Sequence, residues 1–162
     1  MLAADGSWLA RAAYSPSSQI RARVWTFDAA EQVDAPFFRR RAEAAFARRA
    51  AMFDAGHNAA RIVHAESDGL PGVIADRYDN VVVMQLLAAG ADAHRAAIVD
   101  ALVGVTGATA LVERSDAEVR VLEGLAPVTG VVVGELPPRL AIREQGLAYR
   151  VDVSSEERRV GE

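Results

Sequence analysis

Residues 60–88, ARIVHAESDGLPGVIADRYDNVVVMQLLA, set three β-rich runs end to end with only two short breaks, and this constrains the fold more than any other feature of the chain. The runs ARIVHAE, GVIADRY and NVVVMQLLA carry the apolar alternation and β-branched content of strands. Between the first two, Pro71 presets φ and Gly72 supplies the positive φ of a type II turn, with Asp68 and Gly69 as a second turn signal just before. Asp79 and Asn80 make the next turn. The spacing predicts a helix over AHRAAIVDALVGV, capped by Asp92 and apolar at Ala96, Ala97, Ile98, Leu102 and Val103. Strand TALVER follows, then a short helix in SDAEVRVLEGL where Ser115 and Glu118 have capping-box spacing. GVVVGE, LAIREQ and LAYRVDV complete the strands. Strands followed by one helix and more strands define an α+β class, without the regular alternation of a doubly wound sheet.

The first turn concentrates ionisable groups: His64, Glu66, Asp68, Asp76 and Asp79. A metal or hydrolytic site needs two or three ligands converging, but Glu66 and Asp68 straddle the start of the turn and His64 has no helical i, i+4 partner. The expected reading is a hairpin loop, with Asp76, Arg77 and Tyr78 as a local surface group and no metal site. A small hydrolase built on this acidic hairpin is the alternative.

Ahead of the meander, QIRARVWTF alternates as a strand, with Ile20, Ala22 and Val24 on one face and Arg21, Arg23, Trp25 and Phe27 on the other. Two guanidiniums and two aromatics on one face can clamp phosphates and stack on bases. The competing reading is an edge strand whose Trp25 and Phe27 cover a neighbouring helix while the arginines are solvated. Asp34 then caps a helix, APFFRRRAEAAFARRAAM, with Phe38, Ala42, Ala45 and Phe46 on its apolar side and Arg40, Arg41 and Arg48 opposite, ending at Gly56. The nine arginines and six acids of residues 1–63 contrast with nine arginines and sixteen acids in residues 64–162, although the whole chain carries a net charge of -4. That split places any polyanion contact on the head, at Arg21, Arg23, Trp25, Arg40 and Arg41.

The chain has no Cys, so it offers no disulfide, thiolate metal ligand or cysteine nucleophile. Its longest uncharged apolar runs are about half the roughly 20 residues a membrane-spanning helix needs, and no basic leader follows Met1. A soluble cytoplasmic protein without membrane contact is expected. No GxGxxG or GxxxxGK phosphate loop occurs.

In order and spacing, YSPSSQIRARVWTF, FFRRRAEAAFARR, NAARIVHAESDGLPGVIADRYDNVVVMQLLAAG, VERSDAEVRVLEGL and GLAYRVDV resemble the class I S-adenosylmethionine-dependent rRNA methyltransferases of the large-subunit methyltransferase I type. The resemblance implies an RNA-binding PUA domain, a central α+β domain and a Rossmann-like domain that methylates C5 of a 23S rRNA cytosine. Against that pattern, residues 1–33 form a truncated PUA-like head, 34–56 a connecting helix, 57–153 the central domain and 154–162 a non-native tail, with the Rossmann-like domain absent. S-adenosyl-L-methionine serves the full-length family but is not expected to bind this chain, since C5 methylation requires a thiolate and a donor loop that the chain lacks. The expected role is RNA binding and substrate positioning on large-subunit rRNA. A free-standing RNA-binding adaptor is the alternative.

Overall fold

A computed structural model describes residues 1–54 and 56–153; the expectation of a non-native tail at 154–162 lies outside the described residues. The architecture is mixed α+β around a five-stranded sheet. Two short strands, β1 (Arg11–Tyr14) and β2 (Ala22–Thr26), pair antiparallel at the head. Helix α1 (Ala35–Ala47) follows, and then the sheet strands β3 (Ala59–His64), β4 (Val73–Tyr78) and β5 (Val81–Leu86). Helices α2 (Ala89–Ala93) and α3 (Arg95–Thr106) cross over to β6 (Ala110–Ser115), and α4 (Val119–Leu122) leads to β7 (Val128–Val133). A terminal hairpin joins β8 (Leu140–Glu144) to β9 (Leu147–Val151).

The sheet order is β3-β4-β5-β6-β7, so the strands lie in chain order. All neighbours are antiparallel except β5 and β6, which the helical crossover makes parallel. One sheet face is covered by α1 and α3, and its core joins Ile62, Val73, Met84 and Leu111 to Phe37, Phe38, Ile98 and Leu102. Trp25 from β2 belongs to that same core, edge-on to Phe37 at 6.2 Å and Phe38 at 5.4 Å. The opposite face, at Val81, Ala110 and Val112, is covered by Leu140 of β8 and by Val153.

Several helix ends differ from the sequence reading. Asp34 does cap α1, its Oδ1 accepting from the Phe37 N–H at 2.9 Å, but α1 stops at Ala47 and Gly56 is not its C-cap. A 3-10 turn at Ala50–Met52 tightens the chain instead, and the Phe46 and Phe53 rings meet at 5.7 Å. Asp92 lies inside α2 and caps nothing; it accepts from Arg95 and Arg120. Ser115 ends β6 and its Oγ accepts from the Leu86 N–H at 2.8 Å, so no capping box forms. At Asp92 and Ser115 a tertiary partner outcompetes the local one, because a buried amide or guanidinium left unpaired costs about 1–3 kcal/mol.

The meander holds, with one refinement at its first turn. A 3-10 turn over Ala65–Asp68 and a left-handed Gly69 precede Gly72, whose φ is 75°. A Cβ at Gly72 would stand 2.5 Å from the Ala88 Cβ, so this position needs glycine for both φ and space. Among the described residues no helix is long and apolar enough to cross a membrane, and no group of three potential metal ligands converges.

Candidate nucleic-acid interface

The acidic turn resolves into three separate structural pairings. Asp68 is buried, its side chain 2% exposed; Arg48 donates to it at 2.5 Å, Arg49 at 2.9 Å and the His64 N–H at 2.6 Å. Burial pushes the Asp68 carboxyl up, yet these three donors prevail and hold it below its ordinary value. Asp76 pairs across the strands with Arg61, through both carboxylate oxygens at 2.8 and 3.1 Å, and not with Arg77 as the local sequence suggested. Arg77 instead lies over the Phe46 and Phe53 rings and donates to the Asp79 carbonyl. Glu66, whose side chain is 59% exposed, accepts from Arg23 at 3.3 Å.

Arg23 is therefore not a solvated phosphate clamp. Its guanidinium joins Glu66, inside the acidic turn, to Glu123, just after α4, the latter at 3.2 Å and with a side chain only 2% exposed. The other Glu123 oxygen accepts from the Ala89 N–H at 3.1 Å. Burial raises the Glu123 carboxyl, but donation led by the Ala89 N–H, with Ser18 and Arg23, outweighs it and the group stays below the usual carboxylate range. Gly124 lies close against this loop, since a Cβ there would be 2.6 Å from Ser17 Oγ. Thus SPSSQIRAR, ESDGLPG and the EGL segment, three of the stretches quoted above for their pattern, converge on one ion-paired junction.

The remaining predicted RNA-contacting residues divide. Trp25 is 5% exposed and packs on α1, so it covers the helix and offers no face to a base. Arg40 and Arg41 both donate to Glu31, and Arg41 also lies over Phe37 at 5.0 Å. Arg21 is exposed, and its guanidinium donates to the Pro16 carbonyl with no carboxylate partner among the described residues. Phe27 projects into solvent at 77% exposure, together with Tyr14 and the partly exposed Trp8, which stacks under Arg11 at 5.2 Å. The structure thus separates Arg21 and Phe27, which are accessible, from Arg23, Trp25, Arg40 and Arg41, which are engaged. Sequence reasoning missed Tyr14, which lies on β1, because a two-stranded hairpin leaves one face uncovered in a way its alternation alone does not mark, and Trp8, which lies ahead of β1 outside any strand.

The only strand–helix turn of parallel β–α–β geometry among the described residues runs from β5 into α2, the place where such folds hold nucleotide cofactors. Here it is filled by protein. Glu123 caps the Ala89 N–H, the Leu87 N–H donates to the Gly72 carbonyl at 2.7 Å, and a Cβ on Gly90 would collide with Ala13 of β1.

The overall arrangement is one seen in methyltransferase structures. A Streptococcus mutans protein described as a candidate SAM-dependent methyltransferase superposes with a TM-score of 0.78 at 18% identity, covering 95% of this chain and 39% of that one. A solved candidate methyltransferase complexed with SAH gives 0.80, also at 18% identity and with the same coverage. No family model matches the chain. Ribosomal RNA large subunit methyltransferase I from Alteromonas mediterranea is 49% identical over 152 residues, 93% of this chain. The Klebsiella pneumoniae protein of the same name is 53% identical over 151 residues, 92% of this chain. The chain is accordingly a homologue of the ribosomal RNA large subunit methyltransferase I proteins over its matched residues, and it spans 38% of their length.

Proposed function

We propose that this chain supplies RNA binding and substrate positioning to an S-adenosylmethionine-dependent methyltransferase that acts on cytosine C5 of 23S rRNA. The observation that carries the reading is the identity of about half the residues, over 92% of the chain, to proteins named for large-subunit rRNA methylation. In this reading the β1–β2 hairpin belongs to a PUA-like head, where Phe27 and Tyr14 stack on unpaired bases and Arg21 neutralises phosphate. Stacking of this kind contributes about 1–3 kcal/mol per base. The Arg23 junction with Glu66 and Glu123 positions the head on the sheet domain and does not touch RNA.

Methyl-donor binding and chemistry belong to the part of the relatives that this chain does not span. The filled turn after β5 supports that division, as does the lack of any Cys to add to C6 of the base. The test is twofold. Calorimetry should give no micromolar binding of S-adenosylmethionine to the chain, and heat at that level would overturn the division. A labelled large-subunit rRNA segment should bind the chain, and Phe27→Ala with Arg21→Ala should weaken it by roughly tenfold, the loss of one stack and one charge. Wild-type failure to bind the RNA would refute the RNA reading altogether.

A further inference from the structure

The outer face of the β8–β9 hairpin presents a group of exposed arginines that have no carboxylate partner among the described residues. In the helix α1 region every arginine has one: Arg39 pairs with Glu43, Arg40 and Arg41 with Glu31, and Arg48 and Arg49 with Asp68. Arg139, Arg143 and Arg150 differ. All three are exposed, and among the described residues no carboxylate lies within 4.0 Å of any of them.

The hairpin's register explains how they gather. Leu140 pairs with Val151 and Ile142 with Tyr149, and this side lies against the sheet through Leu140 and Val151. Ala141 pairs with Arg150 and Arg143 with Ala148, so both guanidiniums project from the other side on diagonal positions, with small alanines beside them. Diagonal neighbours on a strand pair are about 7–8 Å apart. Glu144, paired with Leu147, falls on the apolar side, and exposed Asp152, one step beyond the Leu140–Val151 pair, is the one described acid that the register places on the arginines' side. The platform is anchored: the Arg143 N–H donates to Asn58 Oδ1 at 2.6 Å, the Asn58 N–H donates to the Arg143 carbonyl at 3.3 Å, and the Gln145 N–H donates to His57 Nε2 at 3.2 Å. Gln145 and Gly146 both take positive φ, 49° and 80°, as a tight two-residue hairpin turn requires.

We infer that this face is a second RNA surface, on which Arg139, Arg143 and Arg150 contact the phosphodiester backbone independently of sequence. The inference rests on the RNA reading above and relocates much of its electrostatic share from the head to the hairpin. Exposed cations on a fixed strand pair lose little freedom on binding, and each phosphate they neutralise releases counterion.

The experiment compares the wild-type chain with Arg139→Ala/Arg143→Ala/Arg150→Ala and with the corresponding triple Lys variant. Each binds a labelled single-stranded RNA from the large subunit between about 50 and about 200 mM salt. The Ala variant should bind about tenfold more weakly and its log–log salt slope should be shallower by about 2, while the Lys variant keeps a slope near wild type. Unchanged melting temperature confirms that the exposed substitutions leave the fold intact. If wild type binds and the Ala variant matches it in affinity and slope, the hairpin inference falls while the RNA reading stands, and an acidic protein surface becomes the partner for these arginines. If the wild-type chain does not bind RNA, both fall.

Discussion

At the scale of single residues, the four carboxylates that look alike in ESDGLPGVIADRYD have unlike surroundings. Asp68 is enclosed by Arg48, Arg49 and the His64 N–H, whereas the Glu66 side chain is 59% exposed with one partner. Asp68→Ala strands the His64 amide and two guanidiniums and should cost about 2–3 kcal/mol in urea denaturation, the range for unpaired buried groups. Glu66→Ala should stay within about 0.5 kcal/mol, as surface changes do. Gly72→Val combines an unfavourable φ with a collision at Ala88, and about 2–4 kcal/mol is expected. Equal midpoints for the two carboxylate variants would contradict this account. The sequence reading took Asp68 only as a turn signal; burial gives it a further role, and burial is invisible to local spacing.

Among elements, the junction at Arg23 decides how β2 sits on the sheet domain. Arg23→Ala removes a donor from buried Glu123 and leaves the Ala89 N–H and Ser18 to hold it. Glu123 and Asp68 both titrate lower in the folded chain than when unfolded, so on acidification the unfolded state takes up protons first. Their stabilisation is complete above about pH 5 and is lost as pH falls through the lowered native values. Arg23→Ala should therefore shift the acid unfolding midpoint, followed by circular dichroism, to higher pH. A midpoint that did not move would mean the Glu123 carboxylate is held without Arg23. Hydrogen exchange of the β1–β2 amides should also quicken in this variant.

For the whole molecule, Trp25 of β2, Phe37 and Phe38 of α1 and the inner face of the sheet form one apolar cluster. Segments 1–33, 34–56 and 57–153 therefore share a core, and they should unfold together. Trp fluorescence, dominated by the change at buried Trp25, and far-ultraviolet circular dichroism should give coincident urea transitions. Two separated midpoints would instead support independent units with the boundaries read from sequence. Charge behaves the same way at this scale: the arginine excess of residues 1–63 is largely consumed by internal pairs, and the arginines without a carboxylate partner among the described residues include three in the acidic part of the chain.

The α+β class, the meander, the cap at Asp34 and the glycine at position 72 are legible in the residues alone, because each depends on local φ preference or on apolar alternation over a few residues. The family resemblance is legible there too, through stretches such as ESDGLPG and EGL that lie far apart in the chain. Only the tertiary structure decided that those stretches meet at Arg23, that Trp25 faces inward, and that Asp92 and Ser115 serve distant partners instead of their own helices. The physical reason is common to all of them: the fate of a polar or aromatic side chain depends on what desolvates it and what can pair with it there. Those neighbours are 43 residues away for Glu66 and 100 for Glu123, beyond the reach of any local pattern.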